Sequence, residues 1–369
     1  MKIFANTARL LVGVLFIFSG LVKAIDPLGL AYKMQEFFEA WQSGGFMPRL
    51  MSSLHSYSLP FALIMITLEV AAGAALLIGY RIKLVSWLLL LLMLFFTFLT
   101  AYVLFSGKIA ACGCFGDCIP LTPKQTFTKD LILLLLVLVI LFSTKFIRPL
   151  FARNINPAIL LIAVMGVVFL QWYVLHHLPL ADCLAYKKGN NILELRKMPK
   201  DAVPDKVQLT FTYEKDGTKK EFVMPDLPDS SWKYIDRKEK IVEAGKNNKP
   251  LINDFTLNTL AGNDTTEAVL SQPGEYYLAF VKVLPGTKHV GWVNKLYSEK
   301  QARKIPSYIV TSIPEQVITF VNNGEMPEQW IDVFTCDATA IKTAARTDVT
   351  IYLMKGPVIE QKWSGEDFR

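Results

Sequence analysis

The chain has 369 residues, 52% hydrophobic and 19% charged, with 39 Lys+Arg against 32 Asp+Glu. So much apolar material at so low a charge excludes a disordered chain and points to membrane-spanning segments. The net charge of +7 does not mark a nucleic-acid face, because residues 1–180 hold 13 basic and 6 acidic side chains while residues 181–369 hold 26 of each; the excess lies in the apolar half, where it bears on membrane orientation.

Five apolar runs follow one another: about Ala8–Ala24, Leu59–Tyr80, Leu84–Phe105, Phe127–Ile147 and Pro157–His176. The third is 22 residues without a charge, and a helix needs roughly 20 residues to cross a hydrocarbon core. The first has a basic lead-in, Lys2 and Arg9, but Ser19-Gly20-Leu21-Val22-Lys23 offers no small-x-small cleavage site, so it is read as a retained helix. Lys2, Arg9, Arg81, Lys83, Lys145, Arg148 and Arg153 gather at one set of helix ends, which predicts that side as cytoplasmic. The long connection 26–58, the connection after the third run and everything beyond residue 177 then fall outside the cytoplasm. A multi-pass protein of the cytoplasmic membrane is expected, in contact with lipid and without a nucleic-acid partner. Glu69 is nine residues past Pro60, which at ~1.5 Å per residue places it ~13 Å along its helix, near mid-membrane. Lys23 is the basic side chain within reach, as an ion-pair partner or as part of a proton-relay or ligand site.

Cys112-Gly113-Cys114-Phe115-Gly116-Asp117-Cys118 holds three of the five cysteines in a short loop between the third and fourth runs. Thiols this close can resolve one another's oxidation, so Cys112, Cys114 and Cys118 form a candidate redox loop. A structural disulfide, or a metal site completed by Asp117 or His55, remains open, although the spacing matches none of the paired Cys-x-x-Cys zinc sites. The four histidines show no metal pattern: His176 and His177 end the fifth run, and His55 and His289 are isolated. No metal and no definite cofactor is expected; a membrane quinone is a candidate electron acceptor. Cys183, just beyond the fifth run, and Cys336 are a candidate disulfide pair.

In the second half, Lys206–Tyr213 and Lys220–Met224 alternate around Asp216-Gly217, a β-hairpin signature. A strand at Tyr276–Leu284, a helix near Val290–Ala302, a strand at Ser307–Thr311, a helix from Pro314, a strand at Asp332–Cys336, a helix capped by Asp337, and strands at Val349–Met354 and Val358–Trp363 follow. This order predicts an α/β sheet domain. Cys336 falls at a strand end before a helix start, where unpaired backbone N–H groups could lower its pKa; a small buried hydrophobe is the alternative reading. The expected organisation is a transmembrane domain over 1–180, a linker with a small β-hairpin over 181–250, and the α/β domain over 251–369.

Residues 251–364 resemble the thioredoxin-like fold of membrane-tethered thiol reductases and peroxiredoxins. Where that family carries its Cys-x-x-Cys, this chain reads Pro285-Gly286-Thr287-Lys288, and Arg346-Thr347-Asp348 replaces the proline before Val349. The resemblance therefore implies a domain without its own dithiol, with Cys336 as a candidate relay. Residues 5–150 resemble the DoxX/MauE group through Arg9, Gly13, Ser19-Gly20 and Lys23, then Pro60, Glu69, Gly73 and Gly79, and most specifically Cys112-Gly113-Cys114-Phe115-Gly116. That last motif is similar to the MauE branch, whose members are implicated in maturing a disulfide-rich periplasmic enzyme subunit. The resemblance implies extracytoplasmic thiol–disulfide exchange with a protein thiol partner; a non-enzymatic envelope scaffold or chaperone is the alternative.

Overall fold

The computed structural model describes residues 2–109, 113, 115–116, 118–152, 154–215, 217–224, 226–243, 245, 247–284, 291–322, 327 and 330–368. Among the described residues five helices are long and apolar enough to cross a membrane: α1 (Lys2–Ile25), α4 (Ser58–Ile78), α5 (Ile82–Ser106), α6 (Pro123–Phe142) and α7 (Ile155–His176). The protein is a multi-pass membrane protein. Between α1 and α4 lie α2 (Pro27–Ser43) and α3 (Pro48–Ser56), inside a stretch for which the sequence predicted only a long connection. Asp26 caps α2 by accepting from the Gly29 N–H, Pro27 supplies the first helical residue, and Ala31, Met34, Phe37 and Phe38 are buried. Thr122 and Gln125 form a capping box at the start of α6.

The most extensive helix contact in the bundle is α1 against α4. It is close because glycines face it: a Cβ on Gly73 would lie 2.9 Å from the Gly13 carbonyl oxygen and 2.9 Å from Ile17 Cγ1, and one on Gly20 2.6 Å from Val70 Cγ2. Small residues let helix backbones approach in lipid, where packing rather than water exclusion drives association. Arg9, 7% exposed, closes one end of the pair. Its guanidinium donates to the Leu76 carbonyl at 3.0 Å, to the Leu77 carbonyl, and to the Arg148 carbonyl at 3.1 Å, tying the last turn of α4 to the connection before α7.

Beyond α7 come the short α8 (Ile192–Leu195), an antiparallel sheet of β1 (Lys206–Lys215), β2 (Thr218–Val223) and β3 (Lys233–Glu243) in the order β2-β1-β3, and α9 (Thr266–Leu270). The hairpin is the predicted one, its strands paired as far as Lys215 opposite Thr218; the third strand was not predicted. A five-stranded sheet follows, with β4 (Glu275–Val281), α10 (Gly291–Arg303), β5 (Ser307–Thr311), α11 (Pro314–Asn322), β6 (Asp332–Thr335), α12 (Ala338–Ala344), β7 (Val349–Lys355) and β8 (Val358–Ser364). Its order is β6-β5-β4-β7-β8; β4, β5 and β6 are parallel, and β7 and β8 antiparallel. Alternation along β4 divides the core: Tyr276, Leu278 and Phe280 pack with α9 and α12, while Tyr277, Ala279 and Val281 pack with α10 and α11. Tyr186 and Ile192, expected in a linker, belong to the first of these cores, and Asn191 bridges Val358.

Gly73→Val should therefore prevent α1 from seating on α4, whereas Gly166→Val, where an added Cβ meets nothing within 4 Å, should not. Size-exclusion profiles and thermal stability of the two variants in detergent check this: the first should aggregate or lose thermal stability, the second should match the parent.

Candidate functional site

One end of the bundle gathers the connection 26–57, the loop 107–122 and the domain after α7. Just below this end the structure brings Lys23 and Glu69 together. Lys23 Nζ lies 2.5 Å from Glu69 Oε1 and 2.8 Å from Oε2, and donates to Ser19 Oγ at 3.1 Å, while Ser19 Oγ donates to Glu69 Oε2 at 3.2 Å. The two side chains are 4% and 1% exposed, and the Phe96 ring faces the ammonium at 4.9 Å. Both carboxylate oxygens of Glu69 have donors, which a buried ion pair requires if it is to offset its desolvation.

Beside this pair the structure places a second one that sequence reasoning missed. Asp130, 1% exposed, sits in the second turn of α6 with its Oδ1 2.8 Å from Lys129 Nζ, and its Oδ2 is buried without a hydrogen-bond partner among the described residues. The signal was in the sequence, since Asp130 lies inside a predicted span. Ser19, Lys23, Glu69, Phe96, Phe115 and Asp130 are among the residues lining one cavity of about 20 Å³, room for about one water and none for a quinone headgroup.

The ceiling of that cavity is the cysteine loop. Phe115 packs on Phe18 at 5.9 Å and under Lys129 at 4.7 Å. The Gly116 N–H donates to the Gly113 carbonyl at 3.0 Å, and both residues have positive φ, 58° and 70°. Gly113 lies against the Lys33 side chain of α2. Cys112, Cys114 and Asp117 lie outside the described residues, as do the 285–288 segment and His289. Cys118 is bonded to Cys183. This corrects the expected Cys183–Cys336 bridge: Cys336 is a buried free thiol in the sheet core, and α7 returns the chain beside Cys118 instead. It also removes Cys118 from the set of free loop thiols. Of the two readings open for Cys336, the structure favours the small buried hydrophobe. Its N–H donates to the Thr311 carbonyl, and burial pushes its thiol up to about 11 in spite of the helix start that follows. At neutral pH about one molecule in ten thousand would carry the thiolate, so it is a poor relay. His55 pairs with Glu39 at 2.9 Å and His177 with Asp367 at 2.7 Å. Among the described residues no three His, Cys, Asp or Glu side chains converge to hold a metal.

The sheet domain docks onto α2 through the same end of its sheet. Arg346 Nε is 2.9 Å from Asp26 Oδ2, Lys342 Nζ donates to Gln35 Oε1 at 3.2 Å, and Lys282 Nζ donates to the Tyr32 hydroxyl at 3.4 Å. Lys342 and Arg346 also stand at 5.5 and 5.4 Å from the Tyr32 ring. Desolvation pushes the Tyr32 phenol up to about 12 and the Lys282 ammonium down to about 8. The helix that carries Tyr32 also carries Lys33 against Gly113, so α2 touches the docked domain and the cysteine loop at once.

With this geometry in hand, the family model for the methylamine utilisation protein MauE matches residues 1–143, covering α1 to α6 and the cysteine loop. A domain of unknown function (DUF8463) matches residues 207–244, the three-stranded sheet. No curated protein and no solved structure matched the chain.

Removing either partner of the central pair strands the other charge. Lys23→Ala and Glu69→Ala should each lower stability by about 3–5 kcal/mol, and the double variant should lose less than the sum of the two, as denaturant unfolding in micelles would measure. Lys282 yields a pH prediction. With its pKa held near 8 in the docked state and 10.5 as its ordinary value, the undocked state binds more protons between those values, so docking should tighten as pH rises from about 8 toward 10. Protease protection of the docked domain should follow that rise, and Lys282→Met should flatten it.

Proposed function

We propose that this protein supports thiol–disulfide exchange, or maturation of disulfide-containing proteins, at the outer face of the cytoplasmic membrane. Cys112 and Cys114 are the exchanging thiols in this reading, and Cys118–Cys183 is a structural tie. The observation that carries it is the convergence at one bundle end of the described part of the cysteine loop (Gly113, Phe115, Gly116 and Cys118), a disulfide and a folded domain. Disulfides persist in oxidising compartments, and the excess of Lys and Arg at the opposite helix ends argues for the cytoplasm there. Similarity of residues 1–143 to the MauE family is consistent with a maturation role; methylamine is not proposed as this chain's substrate.

The five-stranded sheet supports reading residues 251–369 as a thioredoxin-like domain with 1–180 as the membrane domain. Three parallel strands followed by an antiparallel hairpin, with helices on both faces, is the arrangement that resemblance implies. With Pro285-Gly286-Thr287-Lys288 in place of a dithiol, the domain acts as a docking module that presents a partner protein to the loop. Electrons pass to a partner disulfide or, outside the 20 Å³ cavity, to a membrane quinone. The rival reading, a scaffold with structural disulfides only, is favoured by Cys118–Cys183 and by the raised pKa of Cys336.

Two measurements test this. In intact spheroplasts a membrane-impermeant maleimide should label Cys112 and Cys114 after mild reduction; labelling only after lysis reverses the orientation and sinks the reading. Redox titration of the loop should give a midpoint near −120 to −230 mV, whereas a value below about −300 mV favours the scaffold.

A further inference from the structure

The end of the bundle away from the sheet domain carries charge that the proposed function leaves unused. It is built from residues 2–12, 75–88 and 140–160, and none of these segments contains an Asp or Glu. Lys2, Arg9, Arg81, Lys83, Lys145 and Arg148 therefore meet no carboxylate from the segments that bear them, and an excess of this kind at a bundle end attracts anions. Between the α4–α5 turn and the start of α7 this end opens into a pocket of about 560 Å³, with Tyr80 and Arg81 on one side and Phe151, Asn156 and Pro157 on the other. Sites for small ligands run from roughly 300 to 1,000 Å³.

The two walls ask for different chemistry. On the first, Arg81 is exposed and its guanidinium stands 5.6 Å from the Tyr80 ring. α5 begins directly after Arg81 without a side-chain cap, and the N–H groups of Ile82, Lys83 and Leu84 have no partner among the described residues; they point back along the helix axis toward Arg81. Arg9 stands behind this wall, since a Cβ on Gly79 would lie 3.1 Å from its Nη2. Its partners are three carbonyl oxygens, which leave its charge in place. The second wall offers an acceptor. Asn156 is 3% exposed; its Nδ2 donates to the Phe151 carbonyl at 3.3 Å, and its Oδ1 is buried with no donor among the described residues. A ligand that suits both walls carries an anion and, close to it, an N–H or O–H.

We propose that this pocket binds the headgroup of a membrane glycerophospholipid, its phosphate diester held by Arg81 and the open N–H groups of α5, its terminal ammonium or hydroxyl donating to Asn156 Oδ1. The pocket lies where three apolar spans of 20–25 residues begin or end, which is the depth of the headgroups. Below it α5 and α7 expose Leu84 and Trp87, and Leu161 and Ile162, apolar surface for acyl chains that a free phosphate does not have. The site uses neither the cysteine loop nor the sheet domain, so it stands or falls apart from the thiol-exchange reading.

Native mass spectrometry tests this on the full-length protein, delipidated in detergent and titrated with dioleoyl phosphatidylglycerol, phosphatidylethanolamine or phosphatidylcholine. All three carry the phosphate and the same chains, and the choline headgroup has no N–H or O–H. One molecule of either of the first two should stay bound per chain at concentrations where phosphatidylcholine does not. Arg81→Gln should weaken both about fivefold, the worth of one basic side chain at an anionic headgroup, and Asn156→Leu should bring both down to the phosphatidylcholine level. Lys145→Gln, which removes a charge from the same end outside the pocket, should change nothing. Equal retention of the three lipids overturns the proposal. So does an equal loss in Lys145→Gln and Arg81→Gln, which marks a diffuse charge effect, and so does displacement of bound phosphatidylglycerol by millimolar inorganic phosphate, which assigns the site to a free anion. The headgroup comparison uses the unaltered protein and Arg81 is exposed, so misfolding of Asn156→Leu leaves the decision standing.

Discussion

Two ionised side chains can remain inside an apolar bundle only if they meet, and the meeting of Lys23 with Glu69 fixes how α1 lies on α4 near one end of their contact. Arg9 performs the corresponding task near the other end by donating to carbonyls in the last turn of α4. Between them, Gly13 and Gly73 hold the two backbones at close range. The helix pair is thus pinned by polar contacts at both ends and by shape in the middle. α6 brings Lys129 and Asp130 against this pinned pair, and the cysteine loop covers the space that remains.

The membrane half was legible in the sequence where the signal is long and simple. Charge-free runs of about 20 residues have one interpretation, and all five emerged as helices with ends shifted by a few residues. The two helices between α1 and α4 were less visible because α2 is amphipathic and buries only part of its surface. Its Asp26-Pro27 start and the spacing of Ala31, Met34, Phe38 and Trp41 were nonetheless there to be read. In the sheet domain the alternation of strands and helices was legible because β4, buried on both faces, reads as an unbroken apolar run. β3 escaped because it is charged and its described side chains are exposed, which leaves no inward-facing period to detect.

The candidate site was legible in its parts and not in its pairings. Lys23 and Glu69 are isolated charges in apolar runs, and such groups announce themselves. Which cysteine meets which depends on where α7 delivers the chain, and no local pattern carries that distance. The same holds for Tyr32 and Arg346, which are 314 positions apart in the chain and meet only because the sheet domain folds back onto α2. Cys336 was left between two readings because its position at a strand end was visible while its burial in one cluster with Tyr186 and Phe255 was not.

The bond between Cys118 and Cys183 also has a history in time. Its two halves are separated by 65 positions, so at ~5–20 residues per second of synthesis Cys118 exists for roughly 3–13 s before Cys183 has been made. Throughout that interval its nearest thiols along the chain are Cys112 and Cys114, and at its start α6 and α7 have still to be made. Oxidation within the nascent loop would close a ring other than the Cys118–Cys183 one, so that bond can form only after the last membrane helix, α7, has been made.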